Sequence, residues 1–410
     1  MEICLLILVV IMPYKHAYVS YAIILLTVSW IIYNTTNRNG KLNLKRLSFY
    51  VLPSLFILNI FSLFYSDNLK DGVSVIEHTL SFLIFPVVFL VKSPDFSGSF
   101  YHRTKKIYIA SILLAILICW LSVVIAMIDD GASFDQLFNY KYSYMNLEKY
   151  ITLSGIHFSL YIIVAIIFCL DIKFDGKRRS VTIGRIILIS LFTIFTLHLG
   201  SRMGILIILI VFTTYFINNF IITKKIINLV APIVIFFIIG VAVFGMPYLK
   251  VRIFEYAISV KDDDVSIQDK RLDRWKAGWE VFSNNIVFGV GSGDVEEKLL
   301  DSYQKHNLIE AYNNKLNAHN QYLQYYIIGG LLLLTSFLFL LVFTIVYSIK
   351  RKALLPIYVI ILLYGFSLTE SVLQRNKGVV YWGLMSSILF SLTSAPNSHK
   401  KSKRAEHSVL

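Results

Sequence analysis

The sequence predicts an all-α polytopic membrane protein of about twelve transmembrane helices with one large loop on the outer face. Three observations predict this. Apolar residues make up 56% of the 410-residue chain and charged ones only 16%, whereas a soluble domain averages about 25% charged. The apolar residues give a mean hydropathy of +0.66 and fall in runs near the roughly 20 residues that a helix needs to cross hydrocarbon. Only one connection, 246–320, is long.

The elements follow in order. Met1–Ile11 is short and stopped by Pro13; without a basic start or a small-residue cleavage site, it reads as a retained first helix. Further spans are expected at 18–33, 47–65, 73–91, 107–127, 151–170, 182–198, 203–221, 225–245, 322–348, 354–370 and 379–394. The chain thus divides into an N-terminal bundle (1–245, about nine helices), the long loop (246–320), C-terminal helices (321–395) and a basic tail (396–410). Cys4, Cys119 and Cys169 all lie within spans, which argues against a structural disulfide. No CxxC or CxxH spacing supports a thiolate metal site. Neither a short repeat nor a pair of related halves is evident.

Basic residues set the orientation. Arg38, Lys41, Lys45 and Arg46, then Lys92, Arg103, Lys105 and Lys106, then Lys173, Lys177, Arg178 and Arg179 fall on one alternate set of connections. The same set holds Lys224, Lys225, Lys350, Arg351, Lys352 and the tail residues Lys400, Lys401, Lys403 and Arg404. Excess Lys and Arg marks cytoplasmic loops, so both termini are expected in the cytoplasm and loop 246–320 outside. The net charge of +14 is accounted for by these loops beside anionic lipid and calls for no nucleic acid.

The long loop carries a helical stretch from Arg271 to Phe282. Leu272, Trp275, Trp279 and Phe282 form an apolar stripe along it, and two tryptophans suit a helix lying in the interface. Arg271 and Arg274 project together beside the stripe. Gly289-Val290-Gly291-Ser292-Gly293 forms a tight turn; as a nucleotide fingerprint it lacks the preceding strand.

Ionisable groups near spans are expensive and therefore functional candidates. They crowd toward the outer side: Glu77 and His78, His157, His198 and Arg202, His319 and Asn320, then Glu370, Arg375 and Lys377. Outer arginines with no matching acids suit an anionic ligand such as a phosphate. Each residue also has an ordinary reading. Arg202 is a snorkelling helix end, Arg271 and Arg274 are interfacial anchors, and Arg375 is a loop charge. His157 and His198 are better read as packed or capping side chains, and Glu77 and His78 as partners of each other or of a neighbour. Asp262, Asp263 and Asp264 read as a solvated loop, because consecutive side chains diverge.

The neighbours of His319 carry a resemblance. Asn317-Ala318-His319-Asn320-Gln321-Tyr322-Leu323-Gln324, with Ile328-Gly329-Gly330-Leu331 after it, resembles the signature of the O-antigen ligase and O-antigen polymerase superfamily. Arg271-Leu272-Asp273-Arg274-Trp275, Asn284-Asn285 and Phe288-Gly289-Val290-Gly291-Ser292-Gly293-Asp294 are similar to its Arg-Trp segment and following glycine turn. Gly200-Ser201-Arg202-Met203-Gly204 is similar to its Ser-Arg step. These motifs run from 197 to 331; the early helices carry none. The resemblance implies a membrane glycosyltransferase-like fold with the large loop in the periplasm of a bacterial inner membrane. It implies an O-antigen ligase that moves a glycan from undecaprenyl diphosphate to a lipid A-core hydroxyl. His319 is then the general base, and Arg202, Arg271, Arg274 and Arg375 neutralise the diphosphate, with His157, His198 and Asn320 in support. No cofactor is implied, and the first outer loop, Pro13-Tyr14-Lys15-His16, lacks the acids that metal-using relatives carry. The implied partners are the lipid-linked donor, the lipid A-core acceptor and membrane lipid. A polymerase, a protein O-oligosaccharyltransferase and a polysaccharide flippase are the alternatives. A flippase predicts charges along a path through the midplane, whereas here the polar groups crowd one face.

Overall fold

A computed structural model describes residues 1–36, 47–91, 96, 98–143, 145–149, 151, 153–172, 179–250, 253, 271–283 and 285–394. The charge clusters at 37–46, 92–95 and 173–178, the Asp262–Asp264 run, Asn284 and the tail lie outside these residues.

All regular structure among the described residues is helical. The first part contains α1 (Glu2–Ile11), α2 (His16–Thr36), α3 (Leu47–Leu63), α4 (Leu69–Thr79), α5 (Ser81–Pro86) with a π turn at Val87–Val91, and α6 (Gly98–Asp129). Next come α7 (Met145–Glu148), α8 (Gly155–Asp171), α9 (Arg179–His198), α10 (Arg202–Thr223), α11 (Ile227–Gly245) and α12 (Pro247–Lys250). The long connection holds α13 (Arg271–Ser283), α14 (Val295–Lys305) and α15 (Ile309–Asn313). The chain then returns through α16 (Gln321–Arg351), α17 (Leu355–Ser367) and α18 (Asn376–Ser394).

Among the described residues, seven helical segments are long and apolar enough to cross a membrane, and four shorter apolar helices accompany them. Length and composition therefore support a polytopic helical membrane protein but do not reach the expected count of about twelve. The deficit lies in helices such as α8, whose 17 residues fall below a full hydrocarbon thickness. Burial explains how so short a helix keeps its place. His157 to Cys169 are buried on every face, as expected of a helix that is apolar all round and sits at the centre of a bundle. It packs against α6, α9, α10 and α17, while α16 packs against α3, α13 and α17. At the edge, α11 exposes Ile233, Phe236, Phe237 and Phe244.

Two local devices shape the end of this bundle that faces the long connection. Helix α16 is broken by Gly329 (φ −129°, ψ 19°) and Gly330 (φ 58°, ψ −151°). Such backbone at Gly330 is essentially restricted to glycine. The segment Ile286–Gly291 lies in the break: Val290 N–H donates to Ile327 O (2.8 Å), Gly291 N–H to Ile328 O (2.9 Å), and Leu331 N–H to Ile286 O (3.0 Å). The glycine turn is therefore a structural clasp. Its end is fixed to the first bundle by Asp294, which accepts from the backbone N–H of Asp67 (2.9 Å) and Asn68 (2.8 Å).

The expected stripe on α13 is divided differently. Phe282 is buried and Trp275 half-buried, but Leu272 and Trp279 are exposed. The inward face instead carries Arg274, Ala277 and Gly278. A Cβ on Gly278 would stand 3.0 Å from Leu323 and 3.2 Å from Ile327, so the glycine sets how closely α13 approaches α16.

Candidate active site

His319 stands in the turn that enters α16, with a left-handed backbone (φ 48°). Few residues other than glycine accept this conformation, although histidine is among those enriched there. Its neighbours hold it there. The His319 N–H donates to Asn317 Oδ1 (2.9 Å), and the preceding Ala318 N–H donates to Gln324 Oε1 (3.1 Å). Asn320 caps α16 by accepting from Leu323 N–H (3.1 Å), and its own N–H donates to Ser371 Oγ (3.2 Å). Fully buried Gln321 accepts from Leu373 N–H at 2.7 Å. The polar residues of the 317–324 motif thus fasten the start of α16 to the link between α17 and α18.

That link presents Glu370. One carboxylate oxygen lies 2.9 Å from His319 Nδ1, and the other accepts from Arg271 at 2.6 Å. Side-chain exposure is 12% for Glu370, 25% for His319 and 26% for Arg271. A carboxylate can only accept when ionised, so Nδ1 carries the proton in this pair, and in the neutral imidazole Nε2 keeps its lone pair. Among the described residues no hydrogen bond reaches Nε2. The cluster therefore joins an oriented imidazole, its acid and a guanidinium from three separate segments.

The remaining candidates occupy distinct places. Arg274 follows Arg271 by three residues but is buried, beside Tyr303. Burial pushes the Tyr303 phenol up to about 12, partly offset by the charge of Arg274. The phenol donates to Asn317 O at 3.3 Å, which ties α14 to the His319 turn. Arg202 opens α10, where Ser201 caps the helix and bonds Ser159 Oγ (2.9 Å). Arg375 is exposed at the far end of the link that carries Glu370. His157 is buried beneath this link, between Ser154 Oγ (2.7 Å) and Val372 O (3.4 Å). His198 is fully buried and lies between Trp120 and Leu137. Glu77 and His78 are exposed, and among the described residues no ion pair joins them.

Glu370 as a partner of His319 is the feature that sequence reasoning missed. It is visible in the sequence as the acid just before the last helix, yet no spacing rule connects residues 51 positions apart. Among the described residues, no group of three or more His, Cys, Asp or Glu side chains is arranged to hold a metal ion.

Comparison with known proteins adds one finding. Residues 185–338 match the family model described as O-antigen ligase. The matched segment contains the 197–331 motif region, including Arg202, Arg271, Arg274, His319 and Asn320, while Glu370 and Arg375 lie beyond it. The match supports membership of that superfamily and a glycan-transfer role of the ligase or polymerase type. No curated protein matches the chain.

Proposed function

We propose that this member of the O-antigen ligase superfamily transfers a glycan from undecaprenyl diphosphate to a hydroxyl of lipid A-core at the periplasmic face of the inner membrane. The observation that carries the reading is the Glu370 carboxylate shared between His319 and Arg271. The acceptor oxygen attacks the anomeric carbon, and the carbon–oxygen bond to the diphosphate breaks. The hydroxyl proton passes to His319 Nε2, and undecaprenyl diphosphate departs with the bonding electrons. A single displacement of this kind inverts the anomeric centre. General-base assistance of this type is worth about 10²–10⁴-fold.

Glu370 orients the ring and stabilises the imidazolium as it forms, the same part that the acid plays in other carboxylate–histidine pairs. Arg271 offers the diphosphate a guanidinium fork suited to phosphate oxygens, with Arg202, Arg274 and Arg375 as further cations. Preorganised cations of this kind offset the charge that develops on the leaving diphosphate, so the reading requires no metal or cofactor. His157 supports the Glu370 link from beneath, and Asn320 fixes its distance from α16.

The test is transfer by purified protein supplied with undecaprenyl-diphosphate-linked glycan and lipid A-core, with and without EDTA. Glycan arriving on lipid A-core, undiminished by chelator, supports the reading. Growth of the glycan on its polyprenyl carrier would make the protein a polymerase. No covalent product would overturn the enzymatic reading and favour transport.

A further inference from the structure

The turn Ile286-Val287-Phe288 is three consecutive apolar residues, each close to half exposed (49%, 48% and 49%). Phe61, at the end of α3, and Phe64, just beyond it, are exposed at 44% and 84%. Phe288 meets the rings of Phe61 and Tyr65, both at 6.2 Å between centroids. In water such a patch has no reason to remain uncovered.

The backbone beneath the patch is arranged differently from that of an aqueous loop. Its groups are paired into the break of α16 through the Val290, Gly291 and Leu331 amides. The fit is close enough that a Cβ on Gly330 would stand 2.2 Å from Val287 O. Non-helical backbone at membrane depth requires this kind of internal pairing.

Helix length fixes the depth. Lys350 and Arg351 end α16, followed by Lys352, and such a cluster marks a membrane boundary. Counting back from Ile349 to Leu331 at 1.5 Å per residue gives about 28 Å, close to the roughly 30 Å of hydrocarbon. The break at Gly329–Gly330 therefore falls at the opposite boundary. Leu331 and Leu332 are themselves 41% and 39% exposed there.

We propose that Ile286–Phe288, with Phe61 and Phe64, is inserted into the outer leaflet as a bilayer-contacting hook, covered by the acyl chains of membrane lipid. The hook anchors the long loop through the break in α16. It also sets the height of the catalytic turn, because Gln321 stands nine residues before Gly330, about 14 Å further along the helix. The inference concerns the bilayer alone and does not depend on the chemistry at His319.

The test is spin labelling of a Val287→Cys protein in phosphatidylethanolamine–phosphatidylglycerol vesicles, in a background with Cys4, Cys119 and Cys169 replaced. Relaxation by oxygen and by a water-soluble nickel chelate is compared with Leu338→Cys, within the span, and Ile309→Cys, on α15. Oxygen exceeding nickel several-fold at 287, as at 338, is the expected result. Nickel dominance at 287, as at 309, would overturn the proposal. So would a 287 label that becomes oxygen-favoured only when a polyprenyl diphosphate is added, since the carrier and not the bilayer would then be its cover. Ile286→Cys must give the same reading, so a folding failure of one variant leaves the proposal testable.

Discussion

His198 and His319 both stand at helix boundaries, yet their surroundings give the same side chain different capabilities. His198 has no exposed surface: Trp120 Nε1–H donates to its Nδ1 (3.1 Å), and its Nε2 faces Leu137 O (3.0 Å). Because indole is only a donor, Nδ1 must accept there and Nε2 must carry the proton. Both nitrogens are thereby committed to holding α9, α6 and the 134–142 turns together. His319 is partly exposed, with Nδ1 on Glu370, so its other nitrogen is available to a substrate. The difference teaches that a histidine at a helix boundary is fitted for chemistry by one anchored nitrogen and one open one, not by its depth alone.

The largest effect that would break this comparison is expected from Glu370→Gln. Arg271 only donates, so the amide must turn its oxygen to Arg271 and its NH₂ to His319. Nδ1 is then forced to accept, the proton moves to Nε2, and the base is lost. Transfer should fall about 10²–10⁴-fold, with nitrogen-15 shifts of His319 reporting the changed tautomer. Retention of the parental rate would separate Glu370 from the chemistry.

His198→Ala sharpens the other side. It leaves the Trp120 N–H and Leu137 carbonyl without this partner, which costs about 1–3 kcal/mol of stability. The melting temperature in detergent should drop while kcat of the folded protein is unchanged. A fall in kcat without a fall in stability would return His198 to a supporting part in the transfer.

A smaller effect is expected at Asn317, which accepts from the left-handed His319 backbone. Asn317→Ala removes a bond of about 1 kcal/mol and should lower kcat roughly 5–10-fold with little change in donor KM. Asn317→Asp retains the accepting oxygen and should restore most of the rate; equal loss in both variants would make the residue merely structural.

The smallest effect lies at Glu280, whose carboxyl is held below the usual range by hydrogen bonds from Lys305 and His306. A depressed carboxylate contributes stability above its unfolded pKa and loses it as pH falls through the folded value. Acidification below the ordinary carboxylate range should therefore loosen α13 from α14 slightly, because the pair is exposed and screened. Hydrogen exchange in α14 should rise with acid in the parent and show no such dependence in Glu280→Gln.

Much of the helix plan was legible because hydrocarbon demands long apolar runs, and α6, α10 and α16 overlap the stretches read at 107–127, 203–221 and 322–348. The break at Gly329–Gly330 was not, since a glycine pair inside an apolar run gives no sign of a second segment pairing into it. The division of the α13 stripe into buried and exposed members was not legible, because helical spacing shows which residues share a face but not which of them meet protein. Of the Glu370 cluster, His319 and Arg271 were legible as candidates, because each lies in a recognisable motif of the sequence. Glu370 was not, because its partnership depends on how α17 and α18 return beside α16.

The account rests on His319 as the base. Its most direct measurement is single-turnover transfer to lipid A-core by His319→Ala beside the parent, with equal membrane insertion and equal donor binding established for both. A rate lower by about 10²–10⁴-fold at unchanged donor affinity is the result predicted here. Transfer at the parental rate would contradict it and reduce the Glu370–His319 pair to a structural contact.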